Sequence, residues 1–279
     1  MPRAVCENRT PRCSETNGIQ NGGVVGYLRI RSRQDPDDRP DRIISSKMIR
    51  HRFAFLLAAL TLVLIFAPIL HIVAPGSHPI LARTIFTFLF AMLLLSAVLT
   101  VSEHPRTTRI AWTIALPTCL LRGLELLVEN DAIVIASHMM SGLFLLFTVG
   151  VILKYMFLAS HVTFDMICAS LCVYLLLSVA WAIAYSLIEI LQPGSFHFAL
   201  EEADGDTVMR FEGERAFLAI YYSVVTMTTL GYGDIVPTSS LARTSAAMEA
   251  LTGQLYLTVL VARLVGLHIA QATARGDKG

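Results

Sequence analysis

The chain is 279 residues long, 54% hydrophobic and only 15% charged, where ordinary soluble domains carry roughly 25% charge. That shortfall excludes a typical soluble domain and points to a membrane protein. A net charge of +1 supplies no field that would hold nucleic acid.

The first fifty residues are polar and arginine-rich, with RQDPDDRPDR (Arg33–Arg42) at their centre. Such a composition buries too little apolar surface to offset the entropy of ordering, so residues 1–50 are expected to form a disordered, basic cytoplasmic arm. No secretory signal is recognisable there. NRT at Asn8 matches a glycosylation sequon on an end expected to face the cytoplasm, and Met48 is an alternative start to Met1. The cysteines (Cys6, Cys13, Cys119, Cys168, Cys172) lack metal-ligand spacing. Cys168 and Cys172, four apart on an apolar stretch, read as small filler rather than a redox pair.

Crossing a hydrocarbon core takes about 20 helical residues. Phe53–Val73 meets this without a charge, with Pro68 as a kink, and Ile80–Val101 follows with Arg83 near one end, within snorkelling reach. Ile110–Val128 is a weaker span, because it holds Pro117, Arg122 and Glu125; the last two, three apart, can pair along a helix. Ala132–Leu158 is uncharged up to Lys154, and Met166–Leu191 is apolar up to Glu189 before QPG (Gln192–Gly194) ends it. The sixth candidate, Leu241–Ala270, is the least apolar, since Arg243, Glu249 and Arg263 leave only Ala250–Ala262 uncharged. Shielding by other protein would let such a helix sit in a membrane.

Positive charge flanks alternate connections. The leader, Arg106 and Arg109, Lys154, and Arg275 with Lys278 lie on one side, while residues 74–79 and 129–132 contain no Lys or Arg. The positive-inside rule then places both termini in the cytoplasm and requires an even number of spans, which six satisfies. The connection after Leu191 is acidic, with Glu201, Glu202, Asp204, Asp206, Glu212 and Glu214. It is expected outside the cell, either gathering cations or simply solvated.

Between the fifth and sixth spans runs RAFLAIYYSVVTM (Arg215–Met227) and then TMTTLGYGDIVP (Thr226–Pro237). A helix over the first would be about 20 Å long, too short to cross. Half a crossing followed by irregular backbone is tolerated only inside protein or beside water, the geometry of a re-entrant pore loop. Replacing the water shell of a potassium ion requires oxygens at matched spacing, and successive carbonyls supply them if alternating left- and right-handed backbone aims them at one axis. Glycine reaches the left-handed region without steric cost, so Gly231-Tyr232-Gly233 suits such a strand. Tyr232 would splay outward, and the Thr229 hydroxyl would add a ring of oxygens.

TTLGYGD (Thr228–Asp234) resembles the motif of the potassium channel superfamily, and YYSVVTMTTLGYGDIVP (Tyr221–Pro237) is similar to that family's pore helix and filter. The resemblance covers about residues 166–270, and the whole is most similar to six-span bacterial channels without a voltage sensor. It implies an all-α membrane protein: six transmembrane helices, with a re-entrant pore helix and a selectivity-filter loop between spans five and six, assembled as a homotetramer. It further implies a filter of Thr229, Leu230, Gly231, Tyr232 and Gly233, with potassium ions at Thr229, Leu230, Gly231 and Tyr232. Filter support is expected from Tyr222, Thr228 and Asp234, and an inner-helix hinge at Gly253, nineteen residues beyond Asp234. Leu230 stands where the family commonly has valine, and Tyr221 and Tyr222 stand where it has tryptophans. Val225 stands where some members have a glutamate that pairs with the filter aspartate, so Asp234 needs another partner, for which a tyrosine hydroxyl is the candidate.

Domain limits follow: arm 1–50, a four-helix domain of non-voltage-sensing type 51–160, pore domain 161–270, tail 271–279. A voltage sensor needs regularly spaced arginines on the fourth span, and Ala132–Leu158 has none. His138 reads as a proton sensor or as a packed, hydrogen-bonded histidine. Gly253 reads as a hinge or as a close-packing site. Gln254, Thr258, Val261 and Val265 form a stripe that lines a cavity or packs helices. Glu249 is expected to be hydrogen-bonded or protonated behind the filter, and Arg263 to snorkel toward cytoplasmic headgroups. Few residues follow His268, so no ligand-sensing domain is expected there. TVGV (Thr148–Val151) lacks the aromatic and the second glycine and reads as plain helix.

The expected activity is passive, selective potassium conduction across the cell membrane, with lipids and K+ as partners, no prosthetic group and no catalysis. A non-selective cation channel is the near alternative. A transporter with four pore loops per chain has only one such loop to draw on here. An intramembrane serine protease would need Ser141 in MMSGL and a base such as His268, with Met139 where a glycine is expected.

Overall fold

The computed structural model describes residues 52–73, 79–102, 105–128, 130–159, 162–199 and 216–276, all within one unit, Ile44–Gly279. The basic arm with Asn8 and Met48, the acidic connection at 200–215 and the last three residues lie outside them. The elements are α1 (Arg52–Val73), α2 (Pro79–Val101), α3 (Pro105–Glu125), α4 (Asp131–Leu158), α5 (Phe164–Leu191), β1 (Phe196–Phe198), α6 (Ala216–Met227), β2 (Ile235–Pro237) and α7 (Ser240–Gly276).

Local chemistry sets several of the ends. The Asn130 side chain accepts from the Ala132 amide at 2.9 Å and Thr163 from the Met166 amide at 3.2 Å, capping α4 and α5, with Asp131 and Asp165 in their first turns. α5 ends on Gln192, and Gly194 turns the chain at φ +81°. Glu189, buried one turn back, accepts from the amides of Gly194 at 2.8 Å and Ser195 at 2.9 Å. Glu189→Ala therefore leaves two amides without their acceptor. It is expected to cost about 1–3 kcal/mol and to lower the thermal midpoint of detergent-purified protein; an unchanged midpoint would show that the turn finds another partner.

Among the described residues α1, α2, α4, α5 and α7 are long and apolar enough to cross a membrane. The doubtful sixth stretch is thus one of them, and α3 is not, since it holds Pro117, Arg122 and Glu125. Those charges turn into protein. Arg122 and Glu125 are each 4% exposed and 3.3 Å apart, Arg122 donates to Ser141 Oγ at 3.3 Å, and its guanidinium lies 5.0 Å from the Phe90 ring centre. An inward ion pair of this kind is how a helix with two charges in its apolar stretch stays compatible with an apolar surround, Arg106 and Arg109 lying in its first turns.

The core is continuous from α1 to α6, with Leu56, Leu60, Leu93, Leu94, Leu145 and Leu176 fully buried. α5 is the spine, packing on α1, α4, α6 and α7. Thr148–Val151 lies inside α4, as expected of a plain helical stretch, with Thr148 Oγ1 donating to Phe144 O at 2.9 Å.

Candidate functional site: the loop between α6 and α7

α6 is a twelve-residue apolar helix, about 18 Å long at 1.5 Å per residue. Its last turn frays in a specific way. The amide of Thr229 donates to Thr226 O at 2.9 Å, that of Leu230 to Val225 O at 2.9 Å, and that of Gly231 to Val225 O at 3.4 Å. In a trans peptide the carbonyl points opposite to the amide hydrogen, and no peptide described here is cis. The carbonyls of Thr228, Thr229 and Leu230 therefore point together, away from the end of α6.

The dihedrals extend that pattern. Positive φ occurs at Thr229 (+58°), Gly231 (+57°) and Gly233 (+81°), every second residue of the loop. An extended strand would send successive carbonyls to opposite sides; alternating handedness sends them to one. Glycine takes this conformation freely at Gly231 and Gly233, whereas Thr229 is a β-branched residue held there against its preference. Leu230 and Tyr232 are 56% and 67% exposed, so this chain alone does not cover the loop.

The loop is braced behind and above. Tyr185, Phe196 and Tyr222, from α5, β1 and α6, form a cluster of edge-on rings with centres 4.9–5.6 Å apart. β1 pairs antiparallel with β2, Phe196 opposite Pro237 and Phe198 opposite Ile235, so the residues just after Gly233 are stitched to the end of α5. The Ala199 amide extends the stitch to Asp234 O at 2.8 Å. Of the expected supports, Tyr222 is buried in the ring cluster and Thr228 Oγ1 donates to Val224 O at 2.7 Å. Asp234 receives its hydrogen bond from Tyr221 Oη at 2.5 Å, so the sought tyrosine hydroxyl is that of Tyr221. Tyr221→Phe is expected to cost about 1–3 kcal/mol locally and to lower the thermal midpoint of the purified protein. An unaltered midpoint would make that bond dispensable.

α7 passes behind the loop. Its buried or half-buried face carries Ala242, Glu249, Gly253, Tyr256, Leu260 and Arg263. A Cβ added at Gly253 would meet Met227 O at 2.4 Å and Met227 Cγ at 2.9 Å, so the helix approaches the end of α6 as closely as a glycine allows. Glu249 is fully buried, in hydrogen-bond contact with Tyr185 Oη and Ser223 Oγ. Gln254, Thr258, Val261 and Val265 lie on the opposite, exposed face. Arg263 departs from expectation: it donates to the carbonyls of Met156 at 2.5 Å and Ala159 at 3.1 Å, with its guanidinium 5.1 Å from the Phe157 ring centre. It thus serves the unsatisfied C-terminal carbonyls of α4 instead of reaching for headgroups.

His138 is fully buried, with Nδ1 2.8 Å from Val134 O and Nε2 3.5 Å from Ser186 Oγ, as the packed reading expects. Ser141, also fully buried, donates to Ser137 O at 2.7 Å and accepts from Arg122, while His268 is an exposed residue of α7. A hydroxyl held in this way is no poised nucleophile.

Residues 171–268 match the family model described as ion channel. The inward rectifier potassium channel Kirbac3.1 of Paramagnetospirillum magnetotacticum is 37% identical over 101 residues, which is 36% of this chain and 34% of that protein. The chain thus spans about a third of the length of that relative. No solved structure matches. The short helix α6, the carbonyl-presenting loop and most of α7 fall within the residues that match the ion channel model. Over residues 171–268, then, the chain is similar to ion channels, and over about a third of its length to a potassium channel.

Proposed function

We propose that this chain forms a potassium-selective channel that conducts K+ passively through a filter of Thr229, Leu230, Gly231, Tyr232 and Gly233. The observation that carries this reading is the positive φ at every second residue from Thr229 to Gly233, joined to amides tied back into α6. A dehydrated potassium ion needs a cage of oxygens, and one strand supplies one side of it. Four strands around an axis complete the cage, so the assembly is a homotetramer with a fourfold axis along the filter. Two features support it: Leu230 and Tyr232 stand uncovered, and along Ser240–Ile269 of α7 only Ala242, Glu249 and Gly253 are buried within their own chain.

In this assembly ions would sit at Thr229, Leu230, Gly231 and Tyr232. α6 re-enters the membrane with its C-terminus toward the cavity, where the negative end of its dipole favours a cation. Gln254, Thr258, Val261 and Val265 line the cavity below, and Gly253 adds a hinge to its packing role. α1–α5 and α7 are the six spans, α3 crossing with its ion pair turned inward. Residues 1–50 are a basic arm, 51–160 a four-helix domain without a voltage sensor, 161–270 the pore domain and 271–279 a tail. Both termini lie in the cytoplasm, the protein sits in the plasma membrane among lipids, and K+ is the permeant ion with no other cofactor. Native mass spectrometry tests the assembly: the mass of four chains is expected, and a stable monomer or dimer would overturn it.

A further inference from the structure

Three helices converge on one carboxyl group behind the loop. Glu249 of α7 is fully buried and touches Tyr185 Oη of α5 and Ser223 Oγ of α6. Ser223 Oγ also lies 2.7 Å from Ser178 O and 3.1 Å from Ser178 Oγ, both on α5. No ion pair to Glu249 occurs among the described residues. Nothing in the resemblance assigns this carboxyl a role.

The protons of this cluster can be counted. It has four oxygen–oxygen contacts at hydrogen-bond distance, each requiring one proton. The hydroxyls of Tyr185, Ser223 and Ser178 own one apiece, which makes three. In particular, Ser223 cannot donate to both Glu249 and Ser178 O. A proton on the carboxyl completes the set: Tyr185 donates to Glu249, Glu249 to Ser223, Ser223 to Ser178 O, and Ser178 to Ser223. A buried polar cluster with every contact satisfied is rigid, and one contact short it is a weak point.

We propose that Glu249, held as a neutral carboxylic acid, is the positioning residue that locks α6 between α5 and α7 and so sets the ion discrimination of the filter. The lever is short. Ser223 lies on the same buried side of α6 as Met227, one turn on. Met227 O is itself held by Tyr174 Oη at 3.2 Å and faced by Gly253. The amides of Thr229, Leu230 and Gly231 hang from the carbonyls of that last turn, so a shift of α6 moves the loop carbonyls with it.

The proposal rests on the pore reading above, and its test separates the two. Full-length Glu249→Gln, Glu249→Ala and Tyr185→Phe channels are reconstituted in liposomes, and the sodium-to-potassium permeability ratio is read from reversal potentials. The glutamine amide donates to Ser223 and its carbonyl accepts from Tyr185, so this variant is expected to keep the wild-type ratio within about twofold. Alanine strips both partners and is expected to raise the ratio about tenfold, the scale of one lost buried hydrogen bond, with Tyr185→Phe between the two. Infrared spectra of the wild type should show the carbonyl band of a protonated carboxylic acid that Glu249→Gln lacks. Should the alanine variant fail to assemble, Tyr185→Phe and the infrared band decide. A wild-type ratio in both the Glu249→Ala and the Tyr185→Phe channels, a glutamine variant that behaves like alanine, or an absent acid band would overturn the proposal. A wild type that does not discriminate between the ions would instead overturn the pore reading.

Discussion

Gly231→Ala is expected to abolish potassium current while leaving the assembled channel intact. Space is not the reason, since an added Cβ at Gly231 meets nothing within 4 Å in its own chain. The backbone is the reason. At φ +57° the left-handed conformation costs an L-residue about 1–2 kcal/mol, and in the proposed tetramer four chains would multiply that to about 4–8 kcal/mol concentrated in one ring. The ring relaxes by returning φ to negative values. That rotates the Leu230–Gly231 peptide, turns the Leu230 carbonyl off the axis and breaks the amide bond to Val225 O. A d-alanine at the same position prefers positive φ and is expected to keep conducting. Measured in lipid bilayers, equal loss from both enantiomers would mean that bulk, and not handedness, governs this site.

Gly253→Ala tests a different kind of glycine. In an exposed helix the change would stabilise by about 1 kcal/mol, because alanine is the better helix former. Here the new methyl would stand 2.4 Å from Met227 O, a backbone atom at the end of α6, so α6 and α7 must part. Overpacking of this sort costs about 1–3 kcal/mol, which outweighs the propensity gain. The variant is expected to melt several degrees lower in detergent and to lose current, because the loop hangs from the turn that is displaced. A pure hinge predicts something else: an unchanged melting temperature, unit conductance preserved and only the time spent open altered. Melting curves and single-channel records from the same preparation separate the two roles.

The contrast between these two glycines also shows where sequence is most legible. Long apolar runs closed by charge, proline or glycine set the helices within a few residues: Ala132–Leu158 is the expected span where α4 runs Asp131–Leu158, and Arg215–Met227 the expected short helix where α6 runs Ala216–Met227. Gly231 and Gly233 are legible because glycine is the residue that a positive φ demands. Thr229 at φ +58° is not, since β-branching argues against that conformation and only the surrounding loop enforces it.

Contacts between distant parts of the chain are the least legible. Nothing local links Glu249 to Tyr185, 64 positions away, or Arg263 to Met156, 107 away. Arg263 reads as a lipid-facing cation because a lone arginine near a helix end usually is one; only the fold brings the carbonyls of α4 to it. β1 and β2, three residues each, are too short for an alternating pattern to announce a strand. The Tyr221 bond to Asp234 is half legible. The missing glutamate at Val225 makes another partner necessary, but two adjacent tyrosines leave the choice to helix phase, which buries Tyr222 in the ring cluster and leaves Tyr221 beside the loop.

The role of the first four helices also becomes more concrete. Arg263 ties α7 to the end of α4, and His138 of α4 lies 3.5 Å from Ser186 of α5. α4 thus touches both α5 and α7 through polar side chains.

The central claim is selective conduction through Thr229–Gly233, and the reversal potential of purified wild-type channels in liposomes, with potassium inside and sodium outside, tests it most directly. A reversal close to the potassium equilibrium potential is the predicted result. A reversal near zero, with the two ions equally permeant, would contradict it.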